Sequence, residues 1–438
     1  MDYNKKVEMI ENYIRQGEKK EEYFKLGIEI EHFVLNKNTL ESISYYGKDG
    51  IEQSLREMMK KGWVGQYEGD YLLGLKKNDL NITLEPGSQF EVSIDSKREI
   101  YELEKGYLEF LDELLPILEN KGQVLAALGY HPLTQIDEIK LLPKKRYDIM
   151  FNYFKDKGSH AHNMMKGTGA LQVAIDFSSE EDYHKKFRSL NALAPVFYAL
   201  FENALFFEKE PCQTHNLRSY VWLNCDNDRA GTVEGALSDE FSYKDYAKYI
   251  LERPPIFTIR DGELIETKDK KTKEILNSET TKTNEVEHLL SMFFPDVRTK
   301  KYIEIRMMDS VPYPLNFSVV ALIKGLFYDE ENLDVIYKFI KDIKDEDVYK
   351  AKIDMLSYGL KTPFAGKTIL EIGKWLVTLA EKGLRNEEKH YLEPLKDLLE
   401  KGLNPYLYTL EEYKRGDRKK AIEWAILRRE KNGFIKDK

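Results

Sequence analysis

Cysteine is nearly absent from this sequence. The 438-residue chain carries two, Cys212 and Cys225, too few for a disulfide framework. Long apolar runs are missing as well: nothing approaches the roughly 18–20 uninterrupted residues of a membrane span. The opening MDYNKKVEMIENYIRQGEKKEE has no signal-peptide core and is too acidic for a transit peptide. A basic excess is lacking, since the formal net charge is −9, which argues against a general nucleic-acid binder. There is no P-loop GxxxxGK(S/T), and no GxGxxG follows a strand. The absences leave, as the expectation, a cytoplasmic monomer or homodimer that works on small molecules, with no nucleic-acid or membrane partner.

What is present is ordinary core-building material: 42% of residues are apolar and 33% charged, enough for a sizeable core. Residues 3–23 have helical spacing. Period-two alternation marks strands at 27–35, 88–94, 170–177 and 302–306. In 97–119, Ile100, Leu103, Tyr107, Leu111, Leu114 and Leu118 form one apolar helical stripe. Ser178 and Glu181 have the spacing of a capping box that opens the next helix. The stretch 261–285 is polar and reads as an exposed insertion or mobile loop. From about 367 the pattern turns helical and highly charged. Strands and helices without regular βαβ alternation predict an α+β fold with an antiparallel sheet. We expect a catalytic domain over 1–366 and a helical extension over 367–438 packed on it.

Strand parity separates two faces. Ile28 and Ile30 oppose Glu29 and Glu31. Phe90, Val92 and Ile94 oppose Gln89 and Glu91. Leu171, Val173, Ile175 and Phe177 oppose Gln172 and Asp176, and Ile303 and Ile305 oppose Tyr302, Glu304 and Arg306. A wet sheet face is the plain reading of any one strand. As a set, however, these faces carry mainly Glu and Gln rather than the usual mixture of Thr, Lys and Arg. Close carboxylates repel by on the order of 4 kcal/mol per pair at an effective dielectric near 20, and bound cations remove that penalty. Hard oxygen donors without matching histidines or thiolates point to Mg²⁺ rather than zinc. Mg²⁺ held this way commonly serves a nucleotide's phosphates.

Longer motifs then carry a resemblance. GIEIEHFVL at 27–35, LEPGSQFEVS at 84–93, GYHP at 129–132 and LLPKKRYDIMFNYF at 141–154 come first. MMKGTGALQVAIDFSSEEDYHKKFRSLNALAPV at 164–196 and RSYVWLNCDNDRAG at 218–231 follow, then FFPDVRTKKYIEIRMMDSVP at 293–312 and GLKTPF at 359–364. In this order they resemble the plant-type glutamate–cysteine ligases over roughly residues 24–375. The resemblance implies the glutamine-synthetase/guanido-kinase catalytic fold, a curved antiparallel sheet with helices outside and the site in its concavity. It also implies a reaction in which ATP phosphorylates the γ-carboxylate of L-glutamate and the amino group of L-cysteine attacks the acyl phosphate. The product would be γ-glutamylcysteine, the first intermediate of glutathione synthesis.

Carried over position by position, the resemblance implies Glu29, Glu31, Glu85, Glu91 and Glu304 as ligands of two or three Mg²⁺ ions. Gln172 would extend that shell or touch substrate. Arg306 would contact the transferring phosphoryl group, with Glu304 beside it in the catalytic centre. Arg146 and Arg218 would hold glutamate's carboxylates, a task suited to a planar bidentate donor, and Tyr147 and Tyr313 would adjoin the substrate. Alternatives stand beside these assignments: Glu85 precedes Pro86-Gly87 and could shape a turn, and either arginine could pair with a structural carboxylate. The plant MLRTCTVQV reads MKGTGALQV at 165–173, which leaves open an acceptor amine other than cysteine. With two cysteines no plant-like redox switch is expected. A zinc site from Cys212, His215 and Cys225, or from His160 and His162, has incomplete spacing. A guanido-kinase-like phosphotransferase is the reading from another enzyme class.

Overall fold

The computed structural model describes residues 2–260 and 262–428. Its organising element is a nine-stranded sheet. The strands are β1 (Leu26–Asn36), β2 (Val64–Glu68), β3 (Tyr71–Lys77), β4 (Leu80–Leu84), β5 (Phe90–Lys97), β6 (Gln123–Ala126), β7 (Leu171–Ile175), β8 (Val297–Thr299) and β9 (Ile303–Ile305). Their order is β8-β9-β7-β1-β5-β4-β3-β2, every pairing is antiparallel, and β6 continues the sheet along the second half of β1. The expected α+β class with an antiparallel sheet is what the chain adopts.

One face of this sheet is the core. Ile28, Ile30, Val92, Leu171, Val173, Ile303 and Ile305 are all buried, and each fully buried side chain of this kind stabilises by roughly 1.5–3 kcal/mol. The helix Ile100–Asn120 packs there through the predicted stripe, with Leu103, Tyr107, Leu111, Leu114 and Leu118 all buried. The helix Leu315–Phe327, apolar on nearly every side, covers β1 and β7 from the same direction.

Several boundaries differ from the sequence reading. The opening helix ends at Arg15, with a single helical turn at Glu21–Tyr23 after it. The helix after β7 is capped one residue later than expected. Ser179 Oγ accepts from the Asp182 amide at 3.2 Å, while the Asp182 carboxylate accepts from the Ser178 amide at 2.8 Å and from Lys186 Nζ at 2.8 Å.

The polar stretch 261–285, apart from Asp261, which lies outside the described residues, is folded rather than a free loop. It contributes the strand Glu263–Glu266, which pairs back on Phe257–Arg260, and leads into the helix Thr283–Ser291. Val286, Leu289 and Leu290 are buried, and Lys6 Nζ donates to the Lys273 carbonyl at 2.9 Å. The segment is polar because it is a thin layer laid on the opening helix. Beyond 367, the helix Ile369–Gly383 packs on Leu315–Phe327. The segment is not helical throughout: the Leu427 amide donates to Leu125 O at 2.8 Å, adding a short extended stretch along β6. Residues 429–438 of the expected extension lie outside the described residues.

Candidate active site

The sheet's other face carries the acids. Residues directly opposite in register share a face, and Glu31 lies opposite Glu91, Glu29 opposite Gln172, Thr83 opposite Glu91 and Arg298 opposite Glu304. Glu85 reaches the same region from the turn between β4 and β5, where Gln89 Oε1 accepts from the Gly87 amide at 2.8 Å. This face opens on a cavity of about 300 Å³. Glu29, Glu31, Glu85, Glu91 and Gln172 lie on one side, and Arg146, Arg218, Arg298 and Arg306 also line it.

Each arginine arrives on a different element. Arg146 is the second residue of the helix Lys145–Tyr153, and its Nη2 donates to Tyr147 Oη at 2.9 Å. Tyr147 Oη in turn donates to the Leu84 carbonyl at 3.1 Å, seating this helix on the turn that carries Glu85. Arg218, on the helix Leu217–Leu223, donates through Nη1 to the carbonyls of Arg306 and Met307 at 3.0 and 3.2 Å. Arg306 donates to Gln172 Oε1, and to Glu304 Oε2 at 3.1 Å. Of the five N–H donors each guanidinium carries, these bonds engage only Nη2 of Arg146 and Nη1 of Arg218. The lining also has an apolar, soft part, Met150, Met164, Met165, Trp222, Met292 and Phe294, with Gln89, Thr168 and Ser291 as further polar members.

The electrostatics divide the carboxylates into two kinds. Burial, then the neighbouring Glu85, pushes Glu31 up to about 8. Glu29 is raised by burial and Glu304, and Glu91 is raised well above the usual range by burial and by Glu29, Glu85 and Glu31. For these acids burial and mutual repulsion outweigh the nearby cations. Glu304 is the opposite case. Burial acts to raise it, but Arg298, Lys300 and Arg306 outweigh that and hold it far below the ordinary carboxylate range. Arg298 Nε sits 2.5 Å from Glu304 Oε2, with Arg306 Nη1 at 3.1 Å from the same oxygen.

Among the described residues, no three carboxylate, imidazole or thiol groups converge as a ready-made metal cage. Mg²⁺ does not require one, because it usually takes one or two carboxylates and completes its shell with water and phosphate oxygens. Glu29, Glu31, Glu85 and Glu91 offer only hard oxygen donors in excess of local positive charge, and that donor set fits Mg²⁺.

The structure thus brings Glu29, Glu31, Glu85, Glu91, Gln172, Arg146, Tyr147, Arg218 and Arg306 to one cavity. Two of the expected residues have partners of their own. Glu304, expected among the Mg²⁺ ligands, is paired with Arg298 and Arg306 through one oxygen. Tyr313 lies elsewhere, packed against Tyr107 and Phe317 with its hydroxyl donating to Glu104 Oε1 at 2.7 Å. Asp176 shares the parity of Gln172 but closes β7, where it binds Lys19 Nζ and the Lys25 amide, both at 2.8 Å. Arg298 was not singled out from sequence. It also donates to the Phe293 carbonyl at 3.1 Å, tying the chain that carries Met292 and Phe294 to the sheet. Its only signal is a charged residue at the fifth position of the run FPDVRTKKY.

An antiparallel sheet with a carboxylate-rich face set against clustered arginines is a site built for cations and anionic substrates together. The fold superposes on the crystal structure of the Francisella tularensis glutamate–cysteine ligase in complex with AMP, with a TM-score of 0.59 over 92% of this chain and 87% of that one at 12% identity. The chain is also 31% identical over 414 residues to the chloroplastic glutamate–cysteine ligase of Brassica juncea, covering 92% of this chain and 80% of the relative. Against the Nicotiana tabacum enzyme the identity is 31% over 412 residues, covering 92% and 78%. The profile of glutamate-cysteine ligase family 2 matches residues 25–423. The chain belongs to that family, and it is a ligase.

Proposed function

We propose that the protein joins the γ-carboxylate of L-glutamate to the amino group of L-cysteine, using ATP and passing through γ-glutamyl phosphate. The observation that carries this reading is the meeting of an undercompensated carboxylate row with four arginines in one cavity. A carboxylate is a poor electrophile, and phosphorylation turns one of its oxygens into a leaving group. Moving a phosphoryl group onto an anion demands preorganised positive charge. Arg306, oriented by Gln172 and Glu304, supplies it at the transferring group. Arg146 and Arg218 hold glutamate through its carboxylates, a task suited to the planar fork of a guanidinium group. Glu29, Glu31, Glu85 and Glu91 would hold Mg²⁺, which would supply positive charge against the phosphates of ATP. The wall of methionines with Trp222 and Phe294 keeps water from the acyl phosphate until the amine arrives. The AMP held by the Francisella relative accords with adenine-nucleotide use on this fold.

The test is ADP release from MgATP and L-glutamate, with and without L-cysteine, followed by mass analysis of the product. Cysteine-dependent release and a γ-glutamylcysteine mass are expected. Glutamate-dependent release that ignores cysteine would overturn the acceptor and favour a different amine. The altered small residues of MKGTGALQV at 165–173 motivate that second reading, because Met165 and Thr168 line the cavity.

A further inference from the structure

The helix Lys145–Tyr153 places Arg146, Tyr147 and Met150 at the site, yet only Tyr147 of its nine residues is buried. Its first turn needs acceptors for free amides. The residue before it, Lys144, is a donor and makes no side-chain cap. The missing acceptor comes from far away in sequence: Glu68 Oε1 accepts from the Lys145 amide at 2.9 Å. Glu68 ends β2 at a two-residue turn, paired with Tyr71 across Gly69-Asp70, and Gly69 adopts the positive φ (60°) that such a turn needs. A carboxylate at a helix start is favoured by the helix dipole as well as by the hydrogen bond.

We propose that Glu68 is a positioning residue for glutamate binding, acting through the helix start that it caps. The inference rests on the assignment of Arg146 to glutamate. Arg146 is the next residue after the capped amide, and its guanidinium is braced on the Tyr147 hydroxyl, so its placement depends on how this first turn is seated. Lys145 Nζ also lies 3.6 Å from Glu263, but both side chains are exposed, and such a pair contributes little.

The test compares Glu68→Ala, Glu68→Gln, Glu263→Ala and Arg146→Ala in the full chain. Loss of a helix cap corresponds to a change of about three- to tenfold. Glu68→Ala should raise the KM for glutamate by about that factor while the KM for ATP and the melting temperature stay near wild type. Glu68→Gln, which keeps an acceptor oxygen, should restore most of the affinity. Glu263→Ala should behave as wild type. Amide hydrogen exchange over 145–150 should speed up in Glu68→Ala and slow again on adding glutamate. An unchanged glutamate KM in Glu68→Ala, beside a raised one in Arg146→Ala, overturns the inference. An unchanged KM in Arg146→Ala overturns the glutamate assignment and the inference together. Parallel increases in both KM values with a lowered melting temperature would show a general loss of fold and overturn it too.

Discussion

Glu31→Gln should make the metal-free protein more stable and nearly inactive. Glu31 lies opposite Glu91 in the sheet, and its carboxyl has a pKa of about 8 in the fold against an ordinary 4.5. At pH 7 the fold therefore holds it mostly protonated while the unfolded chain ionises it, which costs the fold about 3 kcal/mol. Partial solvent access at the cavity wall reduces this to about 1–2 kcal/mol. The amide removes that cost and still accepts from the Ala170 amide, which now donates to Glu31 Oε2 at 3.0 Å. For a chain of this length, 1 kcal/mol moves the melting temperature by about 1–2 °C, so a rise of about 1–4 °C is expected in EDTA at pH 7.

The sign with pH follows from the raised value. Below 4.5 the group is protonated in both states and carries no penalty, and the penalty grows as pH rises toward 8. The gap between variant and wild type must therefore open over pH 4.5–8. Added Mg²⁺ should raise wild type by up to about 2.7 kcal/mol at a hundredfold excess over Kd and raise the variant less. Ligase activity should fall by on the order of 100-fold or more. Thermal melts in EDTA and in Mg²⁺ across this pH range decide the matter. A variant that melts below wild type in EDTA, or a gap that does not widen with pH, refutes the reasoning.

Glu304→Gln should have the opposite effect on stability: it leaves two buried guanidinium groups undercompensated, at a cost of about 3–5 kcal/mol, and thermal melts should show a drop of several degrees. Tyr313→Phe should lose only the bond to Glu104, about 1 kcal/mol, with both KM values unchanged in steady-state assays, because the hydroxyl is remote from the cavity. His32, fully buried, has Nδ1 at 3.2 Å from Phe90 O and Nε2 at 2.8 Å from Tyr107 Oη, and burial holds its pKa down to about 4. Its contribution is therefore present above about 6.5 and lost as pH falls toward 4, about 3 kcal/mol in all; urea titrations should show a slope there that His32→Phe lacks.

How much of this was legible depends on what each residue's neighbours have to be. Glu29, Glu31, Glu91 and Gln172 could be placed on one face because the alternate residues, Ile28, Ile30, Val92 and Val173, are apolar without exception. Strand β2 could not be found: none of its five residues is buried, so VGQYE has no alternation to show. The anchoring of Glu304 was hidden for a different reason. Parity gave its face, but its partner Arg298 lies on a three-residue strand, too short for a period to show. The distant cap from Glu68 depends on where a hairpin tip lands, and local sequence does not encode that. Tyr313 packs on Tyr107 and Phe317, and in sequence an aromatic residue looks the same beside a substrate and inside a core.

The same alternation explains why the acids stay together despite their repulsion. A slip of one residue between β1 and β5 would relieve the Glu31–Glu91 pair. It would also turn Ile28 and Ile30 out of the core and drive Glu29 and Glu31 into it. Each of those apolar side chains is worth roughly 1.5–3 kcal/mol when buried, and each buried uncompensated charge costs several more. The register is therefore held from behind, by the face that takes no part in the chemistry. The carboxylates cannot relax by moving, and only protonation, a cation or the cationic side of the cavity can relieve them. Binding of cation and substrates should for that reason stabilise the fold as it assembles the site, and the row's cost in the empty protein becomes affinity for whatever neutralises it.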